Sequence, residues 1–294
     1  MDASKRREGF GLLLALTGSV GLGAAIAVSR IAYAEGANGL SIAFPRAWLL
    51  VALLLLFCGL TGRRLRLPRA AWPHCLGAGA LMAYLFYGNI AAAEFIAAPV
   101  AALLFFIYPP LTTVLAAALD RKPPSPVKLL ATGIAFAGLA VMLGADFDGL
   151  DWRGVALGLS AGALCAVQIT WISRHLRIYD PVVTMTYMAV VAALGLTGAV
   201  LVVGGPPEPT GPAGWTALAG AALLQAMSIP LLYVALPAIG PERSGALNNV
   251  QPVSTIAVAY LALGERLRAA QFLGAAMILG GILLMQWASA RGRN

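Results

Sequence analysis

Long apolar runs separated by short polar punctuation fill this chain from end to end. Windows of about 20 apolar residues, the length that crosses a bilayer's hydrocarbon core as a helix, occur ten times. They lie at roughly 9–33, 39–60, 73–94, 98–119, 126–145, 153–174, 181–204, 213–235, 242–263 and 269–290. Only 61–72 and 205–212 are long enough between them to be loops, and the second, GPPEPTGP, is turn-forming by composition. The pattern predicts an all-α integral membrane protein of ten transmembrane helices with neighbouring spans antiparallel.

The pattern also occurs twice. Sliding 241–285 back by 143 positions lays it on 98–142, so that Pro109 falls on Pro252, Thr112 on Thr255, Leu130 on Leu273 and Gly138 on Gly281. Ser29-Arg30 and Ser173-Arg174, 144 positions apart, close the leading apolar run of each half. A period of half the chain is a duplicated unit, not a solenoid of short repeats. It predicts two five-helix halves, 1–147 and 148–294. Five spans is an odd number, so the second half starts from the opposite side of the membrane and the repeats are inverted.

Charge sets the orientation. With a cytoplasmic N-terminus, fifteen Lys and Arg, including Lys5, Arg6, Arg7, Arg63, Arg121, Arg174 and Arg243, fall on the cytoplasmic side. Four (Arg30, Arg153, Arg266 and Arg268) fall on the other, and Arg46 lies within a span. Cytoplasmic loops carry the excess of Lys and Arg, so both termini are expected in the cytoplasm, in a bacterial-type inner membrane. Trp72, Trp152, Trp215 and Trp287 sit at span ends, where amphipathic rings settle at headgroup level. Lys5-Arg6-Arg7 followed by an apolar run and Ala32-Tyr33-Ala34 imitates a signal peptide. The run 10–28 exceeds the usual signal core of about 7–15 residues and has a counterpart in the second half, so it reads as a retained span.

Composition narrows the classes of function. The chain is 60% hydrophobic and 11% charged, against about 25% charged in a soluble domain. Its net charge of +8 is held in clusters between apolar runs, without the basic, aromatic-studded face of a nucleic-acid binder. Cys58, Cys75 and Cys165 lie in or beside apolar runs and read as free thiols acting as small hydrophobes. Neither a disulfide framework nor a metal site is predicted, and no cofactor motif is present.

Polar side chains inside a membrane helix face the bundle interior or a wet cavity, and this picks out the candidate pathway. In the fourth span Phe105, Tyr108, Pro109 and Thr112 follow i, i+3, i+4, i+7 spacing, one helical face. Asn248, Gln251, Pro252 and Thr255 repeat that spacing in the ninth. Pro109 and Pro252 are expected to kink their spans and free the carbonyls of Phe105 and Asn248. Tyr84 and Tyr87 in the third span, Gln168 and Trp171 in the sixth, and Gln225 and Ser228 in the eighth complete the set. Each amide or hydroxyl has interhelical hydrogen bonding as its alternative reading, and each tyrosine a core role. Arg46, one turn into its span, is expected to snorkel to the interface. Glu265 and Asp120, each followed by an arginine, read as span-end capping pairs.

The run 263–285, LGERLRAAQFLGAAMILGGILLM, resembles the closing motif of the EamA-type carriers of the drug/metabolite transporter superfamily. The mid-span proline before it and the five-plus-five duplication extend the resemblance over essentially the whole chain. It implies ten helices, a central cavity and alternating access, commonly for metabolite export. Short loops and aromatic-rich third and fourth spans look most like the bacterial amino acid exporters, the aromatic amino acid exporter among them. Asp120 stands in the first repeat near where the second has Glu265, displaced by the PPSP insertion, which departs from strict repetition.

These readings converge on a non-enzymatic exporter of amino acids or similar small metabolites. Aromatic rings would hold an apolar side chain, and Gln168, Gln225, Asn248 and Gln251 the polar groups. With no Asp, Glu or His in the middle of any span, gradient-following transport is expected rather than a proton relay. The principal alternative is a multidrug or cationic-compound exporter of the same fold. A membrane-embedded enzyme would need a nucleophile, metal cluster or acid–base pair at common depth, and none is evident. The oligomeric state is not legible in the sequence.

Overall fold

The computed structural model describes residues 3–121, 126–144 and 150–291, and these form helices and turns with no strand among them. The boundary expected between residues 147 and 148 lies outside the described residues. Eleven α-helices run in chain order: α1 (Ala3–Ala34), α2 (Gly39–Leu60), α3 (Trp72–Phe95), α4 (Ala98–Phe105), α5 (Tyr108–Asp120), α6 (Pro126–Gly144), α7 (Trp152–His175), α8 (Pro181–Val203), α9 (Pro212–Asn248), α10 (Val250–Leu263) and α11 (Ala269–Arg291). Seven helical segments among the described residues are long and apolar enough to cross a membrane, and Pro126–Val141, Val250–Leu263 and Ala269–Leu284 are shorter apolar helices.

Local chemistry sets the helix ends. Asn38 opens α2 with a capping box: its side chain accepts from the Leu40 and Ser41 amides, and the Ser41 hydroxyl accepts from its backbone N–H. Asp151 and Asp180 cap α7 and α8 through the side chain alone, which accepts from the Arg153 amide in one and the Val182 and Val183 amides in the other. The spans that contain α5 and α10 both stop on a left-handed residue, Arg121 (φ 50°) and Gly264 (φ 67°), 143 positions apart. Glycine takes that conformation freely, whereas an L side chain resists it.

Two spans depart from the hydropathy pattern. The fourth is not one kinked helix but two: α4 ends at Phe105, and α5 begins at Tyr108. The eighth keeps its apolar run, with Pro212–Leu232 long and apolar enough to cross a membrane, while helical backbone continues from it as α9 through 236–241 to Asn248. The ninth span accordingly breaks at Asn249, 143 positions after the Phe106 break of the fourth.

The two halves of the sequence interlock. The leading helix of the first half, α1, packs on α9 and α10 of the second; the leading helix of the second, α7, packs on α3, α4 and α5 of the first. Helices α6 and α11 pair with each other. One apolar core gathers α2, α3, α8 and α9 around Ile42, Leu50, Phe86 and Met188, and another gathers α4, α7, α10 and α11 around Leu104, Phe106 and Ile282. The outer surface keeps Leu201, Val202 and Leu261 more than three-quarters exposed. Apolar exposure on that scale is what a lipid-facing surface carries.

Candidate functional site

The two interrupted spans meet. Tyr108, first residue of α5, and Asn248, last residue of α9, are joined by the Asn248 Nδ2–H donating to the Tyr108 hydroxyl at 3.2 Å. Pro109 thus lies in the first turn of α5, and Pro252 in the first turn of α10. A proline there forfeits a donor that has no helical partner in any case. The prolines therefore restart helices instead of kinking continuous ones.

Around this junction Phe105 sets its ring 5.4 Å from that of Tyr108 and 6.1 Å from that of Phe106. Phe105 and Tyr108 also rest on Leu85, Ala161 and Cys165. The break is held against α7 at Gly162: a Cβ added there would come within 2.8 Å of both the Phe105 carbonyl oxygen and a methyl of Ile107. Absence of a side chain at that one position lets helix backbone approach interrupted backbone. Asn248 keeps its Oδ1 buried without a partner, as does Gln225 its Oε1, with Gln225 only 1% exposed. Gln251, in the first turn of α10, is buried, and its carbonyl accepts from the Ser254 and Thr255 hydroxyls. Thr255 also donates to the Gly23 carbonyl, tying α10 to α1.

A separate cavity of about 660 Å³ opens between α3 and α8 and is lined by Tyr84, Tyr87, Leu196 and Ala199, with Asn38 and Pro207 at its end. Tyr84 shares a 2.6 Å hydrogen bond with the Ser160 hydroxyl of α7. The loop 205–211 closes over the α1–α2 turn, where Ser41 donates to the Pro207 carbonyl and Thr210 to Glu35. The volume falls within the range of small-molecule pockets, about 300–1,000 Å³.

Other candidates are differently employed. Gln168 is buried and donates to the Ala78 carbonyl at 2.8 Å, a tie between α7 and α3. Ser228 donates to Leu224 of its own helix and faces Gly21 of α1. Trp171 is 38% exposed and lies in a ring cluster, 4.7 Å from His175 and 5.7 Å from His74, whose imidazoles stack at 4.4 Å. Arg46 does not snorkel. It is 5% exposed, sits 4.0 Å over the Phe86 ring, and leaves Nε and Nη1 without partners. Helix α2 is wedged against α3, α8 and α9, so the guanidinium has no route to the interface.

Span-end carboxylates supply contacts that the sequence pattern did not disclose. Glu265 pairs with Arg30 at 2.9 Å and Asp120 with Arg174, rather than with the arginines that follow them. The signal was present in the 144-residue spacing of Arg30 and Arg174 and the similar spacing of Asp120 and Glu265. Among the described residues no group of three or more His, Cys, Asp or Glu could hold a metal ion.

A helical bundle with two interrupted spans joined at their breaks is the arrangement in which membrane carriers build binding sites. The sequence profile of the EamA-like transporter family matches residues 9–144 and again 152–287. The chain belongs to the EamA-like transporter family. It is 26% identical over 219 residues to an uncharacterized transporter of Synechocystis sp. (strain ATCC 27184 / PCC 6803 / Kazusa), a match covering 72% of this chain and 66% of that protein. A solved structure titled "Crystal structure of protein" superposes with a TM-score of 0.61 at 20% identity, covering 97% of this chain and 99% of the other. At that identity the likeness speaks for the fold alone. The chain spans a little under two thirds of the length of the curated Synechocystis relative.

Proposed function

We propose that this EamA-like transporter exports amino acids, large neutral and aromatic ones included, or similar small metabolites, from the cytoplasm by alternating access between two inverted five-helix halves. The observation that carries the reading is the Tyr108–Asn248 contact between the two interrupted spans. Interrupted helices at mid-membrane are tolerated where they line a cavity. There Phe105 and Tyr108 offer an apolar wall, while the unpartnered Asn248 Oδ1 is an acceptor for an ammonium group. The bias of fifteen Lys and Arg to four supports cytoplasmic termini in an inner membrane. Among the described residues no Asp or Glu is buried, which supports gradient-following transport over a proton relay.

The test is flux of a panel of labelled amino acids into liposomes holding the purified chain, with no imposed ion gradient. Saturable flux that is indifferent to a proton gradient and reduced at least about tenfold in Asn248→Ala and Gln251→Ala is the expected result. Movement of cationic dyes with no amino acid flux would replace the amino acid reading with a multidrug one. Flux only under a proton gradient would overturn the coupling and leave the substrate class standing.

A further inference from the structure

Two ion pairs join the two halves of the sequence. Arg30, near the end of α1, donates through Nε to Glu265, which follows α10. Arg174, near the end of α7, donates to Asp120, the last residue of α5. Each pair links the leading helix of one half to the end of the fourth span of the other, and the two arginines are 144 positions apart.

The pairs lie at opposite ends of the bundle. The Ala98 amide, at the start of α4, donates to Glu265 Oε2. The span that begins there, Ala98–Asp120 with 23 residues, finishes at the Arg174 pair. The two helices of that span, of 8 and 13 residues, add up to roughly 32 Å of rise at about 1.5 Å per residue, about the thickness of a bilayer's hydrocarbon core. A carrier that exposes its site to each side in turn must part its halves at one end while holding them at the other.

The pairs are also unequal. Arg30 donates further to the Ala93 and Ile96 carbonyls at the close of α3, so the Arg30–Glu265 pair ties α1, α3, α4 and α10 together, and its side chains are 31% and 18% exposed. The Arg174–Asp120 pair has side chains 36% and 55% exposed. Exposed ion pairs are worth little because water screens them, while hydrogen-bonded, half-buried ones hold more strongly.

We infer that Arg30–Glu265 and Arg174–Asp120 are the two latches of the transport cycle, and that their inequality makes the resting protein open first at the Arg174–Asp120 end. With the orientation argued above that end is cytoplasmic, where an exporter loads. The inference rests on the alternating-access reading, but its test does not depend on transport.

Hydrogen–deuterium exchange, followed by mass spectrometry on the full chain in lipid nanodiscs, compares wild type with Glu265→Gln and Arg174→Gln. In Glu265→Gln, exchange at the start of α4 is expected to rise about tenfold, the worth of a charged hydrogen bond, while exchange at the ends of α5 and α7 falls. Arg174→Gln is expected to give the opposite pattern with a smaller amplitude. A rise confined to the mutated end, with the far end unchanged, would make the pairs simple structural ties and overturn the inference. Should Glu265→Gln fail to fold, Arg174→Gln, at the exposed pair, still decides through the reciprocal change at α4. Reciprocal exchange without flux of any solute would uphold the latches and sink the transport reading. Flux without reciprocity would do the reverse.

Discussion

Tyr108 opens the helix after one chain break, Asn248 closes the helix before the other, and the amide of Asn248 donates to the hydroxyl of Tyr108 at 3.2 Å. The contact spans 140 residues of sequence. It ties the two interrupted spans directly to each other, so its energetics separate a structural tie from a binding site. A single neutral hydrogen bond of this kind is worth about 0.5–1.5 kcal/mol. In a double-mutant cycle of Tyr108→Phe and Asn248→Ala, the coupling in melting free energy is expected to stay within that range. Flux is expected to fall much further in Asn248→Ala than in Tyr108→Phe, because the unpartnered Oδ1 is lost only in the former. Equal losses in the two variants would leave Asn248 a purely structural residue.

Gly162 and Gly77 give a paired test of packing. A Cβ at Gly162 meets the Phe105 carbonyl and Ile107 at 2.8 Å, whereas one at Gly77 meets nothing within 4 Å. Gly162→Ala is expected to cost about 1–3 kcal/mol through forced separation of α7 from the fourth span. Gly77→Ala, in an open helical position, is expected to be neutral or to stabilise by up to about 1 kcal/mol. Melting temperatures in detergent, read by tryptophan fluorescence, check both.

Gln168 is spent on the Ala78 carbonyl, and interhelical bonds of this type average about 0.6 kcal/mol in membranes. Gln168→Met should lower the melting temperature slightly and leave KM for any transported substrate within about twofold. A KM rise of tenfold or more would return Gln168 to the binding site.

Arg46 is a buried cation with two unpartnered nitrogens over Phe86. Exchange of a buried charge for an apolar side chain of similar length is often neutral or stabilising by about 1–4 kcal/mol. Arg46→Met is therefore expected to melt at or above wild type, and Arg46→Ala below it because the packed stem is lost. Thermal melts of the two variants side by side decide this.

The pH dependence to look for comes from Asp151. Hydrogen bonds from the Arg153 side chain, then from its backbone N–H, hold the Asp151 carboxyl below its ordinary value. A carboxyl depressed in the folded state contributes stability that is present above the unfolded pKa and is lost as pH falls through the folded one. Stability should therefore decline as the medium is acidified below the usual carboxylate range. Asp151→Asn, which still caps α7, is expected to flatten that acid limb, converging with wild type in acid and falling below it at pH 7 by the amount the limb had contributed. Melting curves between pH 3 and pH 7 read both effects.

Seven of the ten expected spans stand among the described residues as helical segments long and apolar enough to cross a membrane. They were legible because the physics is one-dimensional: a run of apolar residues long enough to cross hydrocarbon declares itself by composition and length alone. Duplication was equally plain, since Pro109 and Pro252 or Gly138 and Gly281 recur at a fixed offset. Even the breaks were signalled by their prolines, although the chain's exit from helix at Phe106 and Asn249 was not. A proline shows that a donor is missing and leaves open whether the helix bends, runs on as α9 does through 236–241, or restarts as α5 does at Tyr108.

Side-chain partnerships were the part only the tertiary structure could decide. Tyr108 found Asn248, Gln168 found Ala78, and Arg30 found Glu265 across 235 residues. Trp171 went to the histidine cluster and Arg46 into the interior. The sequence by itself determined that this chain is a doubled, helix-built membrane protein, because lipid imposes length and apolarity on each segment separately. Which polar groups meet depended on how the halves interlock, because a side chain's partner is set by the rotation and crossing of helices that are distant in the chain.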